Sequence, residues 1–324
     1  MVWLCLCTAL QKAYDFLVKI QRGGSGMSHA ALSSRILLTV QGGLSSVLKP
    51  AGPVAGQELK IIAGSLILTM IVVVPVIVLF GFILWRYRDK QDNPARYDPE
   101  WSESKVLEIA WWGIPIVIIG ILGAYTAKVT YALTRPPVTD VKPMTIDVTS
   151  LDWKWLFEYP DQGVATVNEL VIPVGVPVAF DLTADGPMNS FWIPSLGGQE
   201  YAMPGMVMRL WLEASRPGVY YGHAANFTGQ QFAGMQFKVV ATSRAAFSEW
   251  VRQLKQVDHP LTVTLYSQLR QPSEIGVQLY SSYPRDLFAE VVWREGGQYM
   301  VDSMPSLGST HVSVSPVMVN AMNQ

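Results

Sequence analysis

Residues 218–237 read GVYYGHAANFTGQQFAGMQF, a glycine-punctuated loop between two β-like runs that carries one imidazole, His223, and one thioether, Met235. Soft-metal electron-transfer sites draw histidine, cysteine and methionine from such loops, so this stretch decides between a redox centre and ordinary packing. Copper electron transfer needs thiolate, and two bridged coppers need two of them. The only cysteines, Cys5 and Cys7, lie at the far end of the chain, and the histidines after residue 140 are His223, His259 and His311. Met235 cannot hold a metal alone and reads as filler of irregular core space. His223 reads as a structural or surface histidine, with a functional role as the alternative. A second candidate is Glu108, a carboxylate inside the apolar stretch VLEIAWW. An intramembrane carboxylate is a functional-site candidate by default. Its competing role is at headgroup level near a helix N-terminus, where the macrodipole favours negative charge and Trp111 and Trp112 form an interfacial belt. Trp153 and Trp155 alternate in DWKWLFEYP, placing both on one strand face as aromatic packing against a membrane domain or partner.

The elements that must position these residues begin in a bilayer. The chain has 324 residues, 50% apolar and only 15% charged, which points to membrane segments, and its net charge of −1 argues against a nucleic-acid partner. Residues 61–85 hold no ionisable side chain; as a helix they would be about 37 Å long, enough for a hydrocarbon core of about 30 Å. Residues 106–127 form a second span, and Pro75 and Pro115 are tolerated in bilayer helices. The intervening loop carries Arg86, Arg88, Lys90, Arg96 and Lys105, so it faces the cytoplasm and both chain ends lie outside.

Residues 1–57 read either as an export signal begun at the internal Met27 or as an upstream extension. The membrane hairpin then covers 58–130 and a proline-rich linker 131–143. From 144 to 241, short β-type runs broken by glycine and proline predict an all-β sandwich or small barrel. Its lack of cysteine excludes a disulfide framework. Residues 242–295 turn helical, with Phe247, Trp250, Val251 and Leu254 at helix spacing and a second helical stretch in YPRDLFAEVVWRE. The tail, 296–324, has the composition of a disordered segment.

Two spans, a proline linker and an outer domain containing DWKWLFEYP, ATVNELVIPVGVPVAFDLTADGPMNSFWIPSLG, YAMPGM and GVYYGHAANFTGQQFAGMQF together resemble subunit II of the haem-copper respiratory oxidases. The likeness covers about residues 50–295 and is greatest to the bacterial cytochrome bo-type ubiquinol oxidases. It implies a membrane hairpin followed by an extracytoplasmic cupredoxin-like sandwich with a short helical C-terminal extension. In the cytochrome c oxidase branch that sandwich carries a dinuclear copper centre. Its ligand positions fall here at Asn189, Ala224, Asn226, Thr228, Phe232 and Met235, and only the methionine survives.

The resemblance therefore implies a subunit with no cofactor of its own, in a complex that oxidises ubiquinol, reduces O₂ to water and pumps protons. Haems and a copper ion would belong to the large subunit, and the partners would be that subunit I, further small membrane subunits, ubiquinol and the bilayer. The implied location is the bacterial inner membrane, with the N-terminus and the C-terminal domain in the periplasm. Glu108 aligns with a family glutamate at the mouth of a proton channel, and Trp153 and Trp155 with the family's aromatic stretch. Where quinol-oxidase relatives carry a lipoprotein cysteine, QGGLSSVLKP has none. Two other readings remain: a copper-containing cytochrome c oxidase subunit II, and a free-standing membrane-anchored cupredoxin-like binding or assembly protein.

Overall fold

The computed structural model describes residues 46–88, 104–133 and 141–297. The N-terminal region with Cys5 and Cys7, most of the basic loop and linker, and the tail from 298 lie outside the described residues. Helix α1, Pro53–Arg86, starts with proline at its first turn, where a missing N–H costs nothing. Helix α2, Lys105–Leu133, opens just after Ser104. Both are long and apolar enough to cross a bilayer, and most of their apolar side chains are exposed around the helix. Each extends beyond the apolar stretch that marks it in the sequence.

The two helices meet the outer domain at their ends. Ala51 N–H donates to the Ser195 carbonyl at 2.7 Å, Ala55 N–H to Leu196 at 3.1 Å, and Ser215 N–H to Ala51 at 2.8 Å. From α2, the Leu133 carbonyl accepts from Trp211 Nε1 at 2.7 Å.

The outer domain is a two-sheet sandwich. Strands β1 (Met144–Leu151), β2 (Lys154–Tyr159), β3 (Val164–Val167), β4 (Glu169–Pro173), β5 (Val178–Ala184) and β6 (Asn189–Trp192) are followed by β7 (Gln199–Ala202), β8 (Met208–Leu212), β9 (Gly218–Ala224) and β10 (Gln236–Thr242). With β11 (Gln278–Tyr280), the first sheet runs β11-β3-β2-β1-β5-β8 and the second β4-β10-β9-β6-β7. Period-two alternation sends Ile146, Val148, Trp155, Phe157, Phe180 and Leu182 between the sheets, all fully buried. Phe191 and Phe237 stack across the interior, 5.1 Å apart and 8° from parallel, with Trp155 edge-on to both. Gly222 on β9 is set by that stack, since any Cβ there would overlap the Phe237 ring.

The C-terminal extension comprises α3 (Arg244–Leu254), α4 (Val263–Leu269), β11 and α5 (Leu287–Arg294). Ser243 caps α3 by accepting from Ala246 N–H, which is why the helix starts there. Beyond α3, Leu261, Tyr266, Leu269, Tyr280, Leu287 and Val291 bury the outer face of the first sheet through Leu151, Leu156, Ala165 and Val167. Two polar anchors fix the cover. Lys154 is fully buried, and its Nζ donates to the Leu269 and Gln271 carbonyls, both at 2.8 Å, satisfying the open end of α4. Asp185, just past β5, accepts from Tyr266 Oη, from Arg270 Nε at 2.9 Å and from Arg294 Nη2 at 2.5 Å.

The expected cupredoxin-like sandwich and helical extension are present, with three differences. Residues 144–159, MTIDVTSLDWKWLFEY, hold neither glycine nor proline to break the β-type run, yet they form a hairpin of β1 and β2. Helix α4 and strand β11 do not stand out in the sequence because they take their order from the sheet they cover. Trp153 and Trp155 do not share a strand face. Trp153 lies in the β1–β2 turn at φ 60°, whereas Trp155 is wholly inside the sandwich, so it packs against the second sheet and not against a membrane helix or partner.

Candidate functional site

Six residues from three segments occupy one end of the second sheet. Asn189 opens β6, Ala224 closes β9, and Asn226, Thr228, Phe232 and Met235 follow in the β9–β10 connection, whose only regular piece is a 3-10 turn at Phe232–Gly234. Pairing of β6 with β9 sets Phe191 opposite Ala224, which draws the connection over Asn189. The Asn189 Nδ2 donates to Met235 Sδ at 3.0 Å, with both residues almost wholly buried. Ala224 N–H donates to the Met235 carbonyl at 3.1 Å, Ala225 N–H to Ser190 at 3.1 Å, and Ser190 Oγ to Asn226 Oδ1 at 3.3 Å. The Thr228 carbonyl accepts from Trp153 Nε1 at 3.3 Å, and Gly229, at φ 121°, lies close against that indole. These bonds draw Asn189, Ala224, Asn226 and Met235 into one cluster, while Thr228 is tied to Trp153.

The donor set does not fit a copper centre. It consists of two carboxamides, a hydroxyl, a thioether, a methyl and a phenyl ring, with no thiolate and no imidazole. A carboxamide N–H takes up the sulfur lone pair of Met235. Phe232 turns to Phe227 instead, edge-on with ring centroids 5.8 Å apart. Among the described residues no three His, Cys, Asp or Glu side chains are grouped to hold a metal ion. His223 stands apart from this cluster, edge-on to Trp192 at 5.0 Å on the outer side of the second sheet, and burial pushes its imidazole below the usual range. Met235→Leu is therefore expected to cost about 1–3 kcal/mol by stranding the Asn189 amide. Thermal unfolding measures that loss, and metal analysis of the purified chain should find copper content unchanged by the substitution.

Glu108 sits in the first turn of α2, exposed, with its N–H on the Ser104 carbonyl at 2.9 Å. It lies in the membrane helix, away from the sandwich cluster, so the two candidates are separate. Lys154, Glu158 and Asp185 escaped sequence reasoning. For Lys154 and Glu158 the only signal was a charge on either side of Leu156, opposite the aromatic face of KWLFEY, which reads equally as a solvated strand face, and Asp185, past the end of β5, carried none.

The family model described as cytochrome c oxidase subunit II, periplasmic domain, matches residues 163–242, from β3 to the end of β10. Quinol oxidase subunit 2 of Bacillus cereus is 41% identical over 259 residues, covering 78% of this chain and 89% of its own. Cytochrome bo(3) ubiquinol oxidase subunit 2 of Pseudomonas putida is 44% identical over 259 residues, covering 79% of this chain and 82% of its own. Among solved structures, the periplasmic domain of cytochrome oxidase subunit II from Bradyrhizobium japonicum aligns at 26% identity with a TM-score of 0.35, covering 37% of this chain and 96% of that one.

Proposed function

Since the chain belongs to the quinol oxidase subunit 2 family, we propose that it is the accessory subunit, without a redox centre of its own, of a proton-pumping ubiquinol oxidase. Two ubiquinols supply the four electrons that reduce one O₂ to two waters. Haems and a copper ion are carried by the large subunit, with which this chain assembles alongside further small membrane subunits. The observation that carries this reading is the Asn189–Met235 contact: the one retained copper-type ligand is bound to an amide, within a set that lacks thiolate and imidazole. Ubiquinol is lipid-soluble and delivers electrons inside the bilayer, so an electron port in the aqueous domain has no task.

In this reading α1 and α2 span the bacterial inner membrane, their connecting loop is cytoplasmic, and the sandwich stands in the periplasm. Glu108 then lies at the cytoplasmic end of α2, where it takes up protons for the large subunit. Trp153 and Trp155 are structural: one packs against the β9–β10 loop, the other fills the core. Solubilising the membrane and purifying this chain should bring down a haem-bearing large subunit in equal amount, with a haem spectrum and quinol-dependent O₂ uptake. A chain that purifies alone, free of haem protein, would instead mark a free-standing cupredoxin-like binding protein and overturn the assignment. Rapid oxidation of a soluble cytochrome by the assembled complex would overturn the loss of electron transfer.

A further inference from the structure

One cross-row of the first sheet holds three carboxylates and a single guanidinium. Glu158 on β2 is paired directly with Asp147 on β1, Asp147 with Asp181 on β5, and Asp181 with Arg209 on β8. Directly opposed residues share a sheet face, with Cβ atoms about 5 Å apart, so like charges in this row repel. Arg209 is bonded to Asp181, through Nε at 2.7 Å and Nη2 at 3.1 Å, and acts on Asp147 only through space, which leaves Glu158 with no cation in the row. Glu158 is fully buried, and neither of its carboxyl oxygens has a hydrogen-bond partner. An ionised carboxylate in that position would have neither water nor a donor, a state proteins avoid by holding the proton.

The lid over this row is the C-terminal extension. On the far side of Glu158 the row continues through Ala165 to Tyr280 of β11, and α5 packs on β1 and β5. We propose that Glu158 and Asp147 form one proton-binding pair beneath the C-terminal extension, and that losing the proton loosens the extension from the sheet.

Electrostatics agree with the geometry. Burial first, then Asp181, pushes the Asp147 carboxyl up to about 7 against the lowering pull of Arg209. Burial first, then Asp147, holds Glu158 well above the usual carboxylate range. Tyr283, which packs into the same cover, is raised by its burial and then by these two carboxylates. The remaining charged groups nearby are otherwise engaged or add no positive charge. Lys154 is bound to the Leu269 and Gln271 carbonyls, Arg270 and Arg294 are bound to Asp185, and Glu290 is the acidic side chain of α5. When the extension lifts, the two carboxyls meet water and titrate near 4. The docked form therefore holds more protons between about pH 4 and 7, so docking is fully favoured below that window and weakens as pH rises through it. The pair stands on this chain alone; only its setting, on the side of the membrane that receives pumped protons, rests on the proposed function.

The test is hydrogen–deuterium exchange of the full chain in detergent from pH 5 to 8, corrected for intrinsic exchange. Protection of residues 278–294 should fall with rising pH, by up to about tenfold per unit for one linked proton, while β9 and β10 hold constant. Glu158→Gln, neutral at every pH, should flatten the slope, and Asp147→Asn should reduce it. No pH dependence in the native chain, or an undiminished slope in Glu158→Gln, would overturn the proposal. Infrared spectroscopy reads the proton itself: the carbonyl stretch of a buried protonated carboxyl should be present in the native chain at neutral pH and lost when Glu158→Gln and Asp147→Asn are combined. Its persistence in that double variant would also overturn it.

Discussion

Glu108→Ala is expected to lower quinol-oxidase turnover at least about tenfold while haem content, subunit assembly and quinol affinity stay near those of the native complex. A positioned proton-transfer group contributes about 10²–10⁴-fold in rate, and bulk water can partly substitute at an exposed channel mouth, which brings the minimum loss below that range. Glu108→Gln should match the alanine variant, because an amide occupies the same space but carries no proton, and Glu108→Asp should retain part of the rate. If Glu108 served only as a favourable charge at the start of α2, its loss would cost about 0.3–1 kcal/mol of helix stability and leave turnover intact. Steady-state O₂ uptake with proton-uptake measurements on the assembled variants distinguishes the two. Native turnover in a fully assembled Glu108→Ala complex would remove Glu108 from the proton path.

Asp185→Ala should detach the C-terminal extension at a cost of about 2–4 kcal/mol. Removing one partner from a buried charge pair costs about 3–5 kcal/mol. The figure is reduced here because the Arg270 and Arg294 side chains are 39% and 30% exposed and water compensates part of the loss. Asp185 itself is almost wholly buried and binds three donors from two separate helices, so no neighbour can take its place. Denaturant unfolding should give a lower midpoint, and limited proteolysis should cut between α3 and α5 before it cuts the sandwich. Asp185→Asn keeps one acceptor oxygen and should lose less. An unaltered cleavage pattern in Asp185→Ala would mean that apolar contact alone holds the extension.

The membrane hairpin was legible because a bilayer demands long uncharged runs, and the sequence has two. The start of α1 was not, since Glu58 and Lys60 end the uncharged run while the helix continues to Pro53, anchored by backbone bonds from Ala51 and Ala55. Strands were legible as β-type stretches, but the turns within them were hidden. The β1–β2 turn uses Trp153 at φ 60° and the β3–β4 break uses Asn168 at φ 58°, where glycine would have announced the bend. Asn168 is held in its conformation by accepting from Trp155 N–H of β2 and by donating to the Ile275 carbonyl, the second a contact that exists only after the extension has docked. The buried ionisable side chains Lys154 and Glu158 were illegible for the same reason. Alternation assigns them to water, and a segment about a hundred residues later covers them. The loss of copper ligands could be read from side-chain types alone, but the Asn189–Met235 contact needed β6 beside β9, a pairing that only the fold supplies.

The backbone bonds at Ala51, Ala55 and Ser215 and the indole of Trp211 on Leu133 have a mechanical consequence. Helix α1 is clamped to the sandwich at several backbone points and α2 at one, so a tilt of α1 is passed to the sandwich as a lever stroke. A pair of spin labels on exposed sites of β9 and on the outer turn of α1 should accordingly keep one narrow distance distribution through turnover.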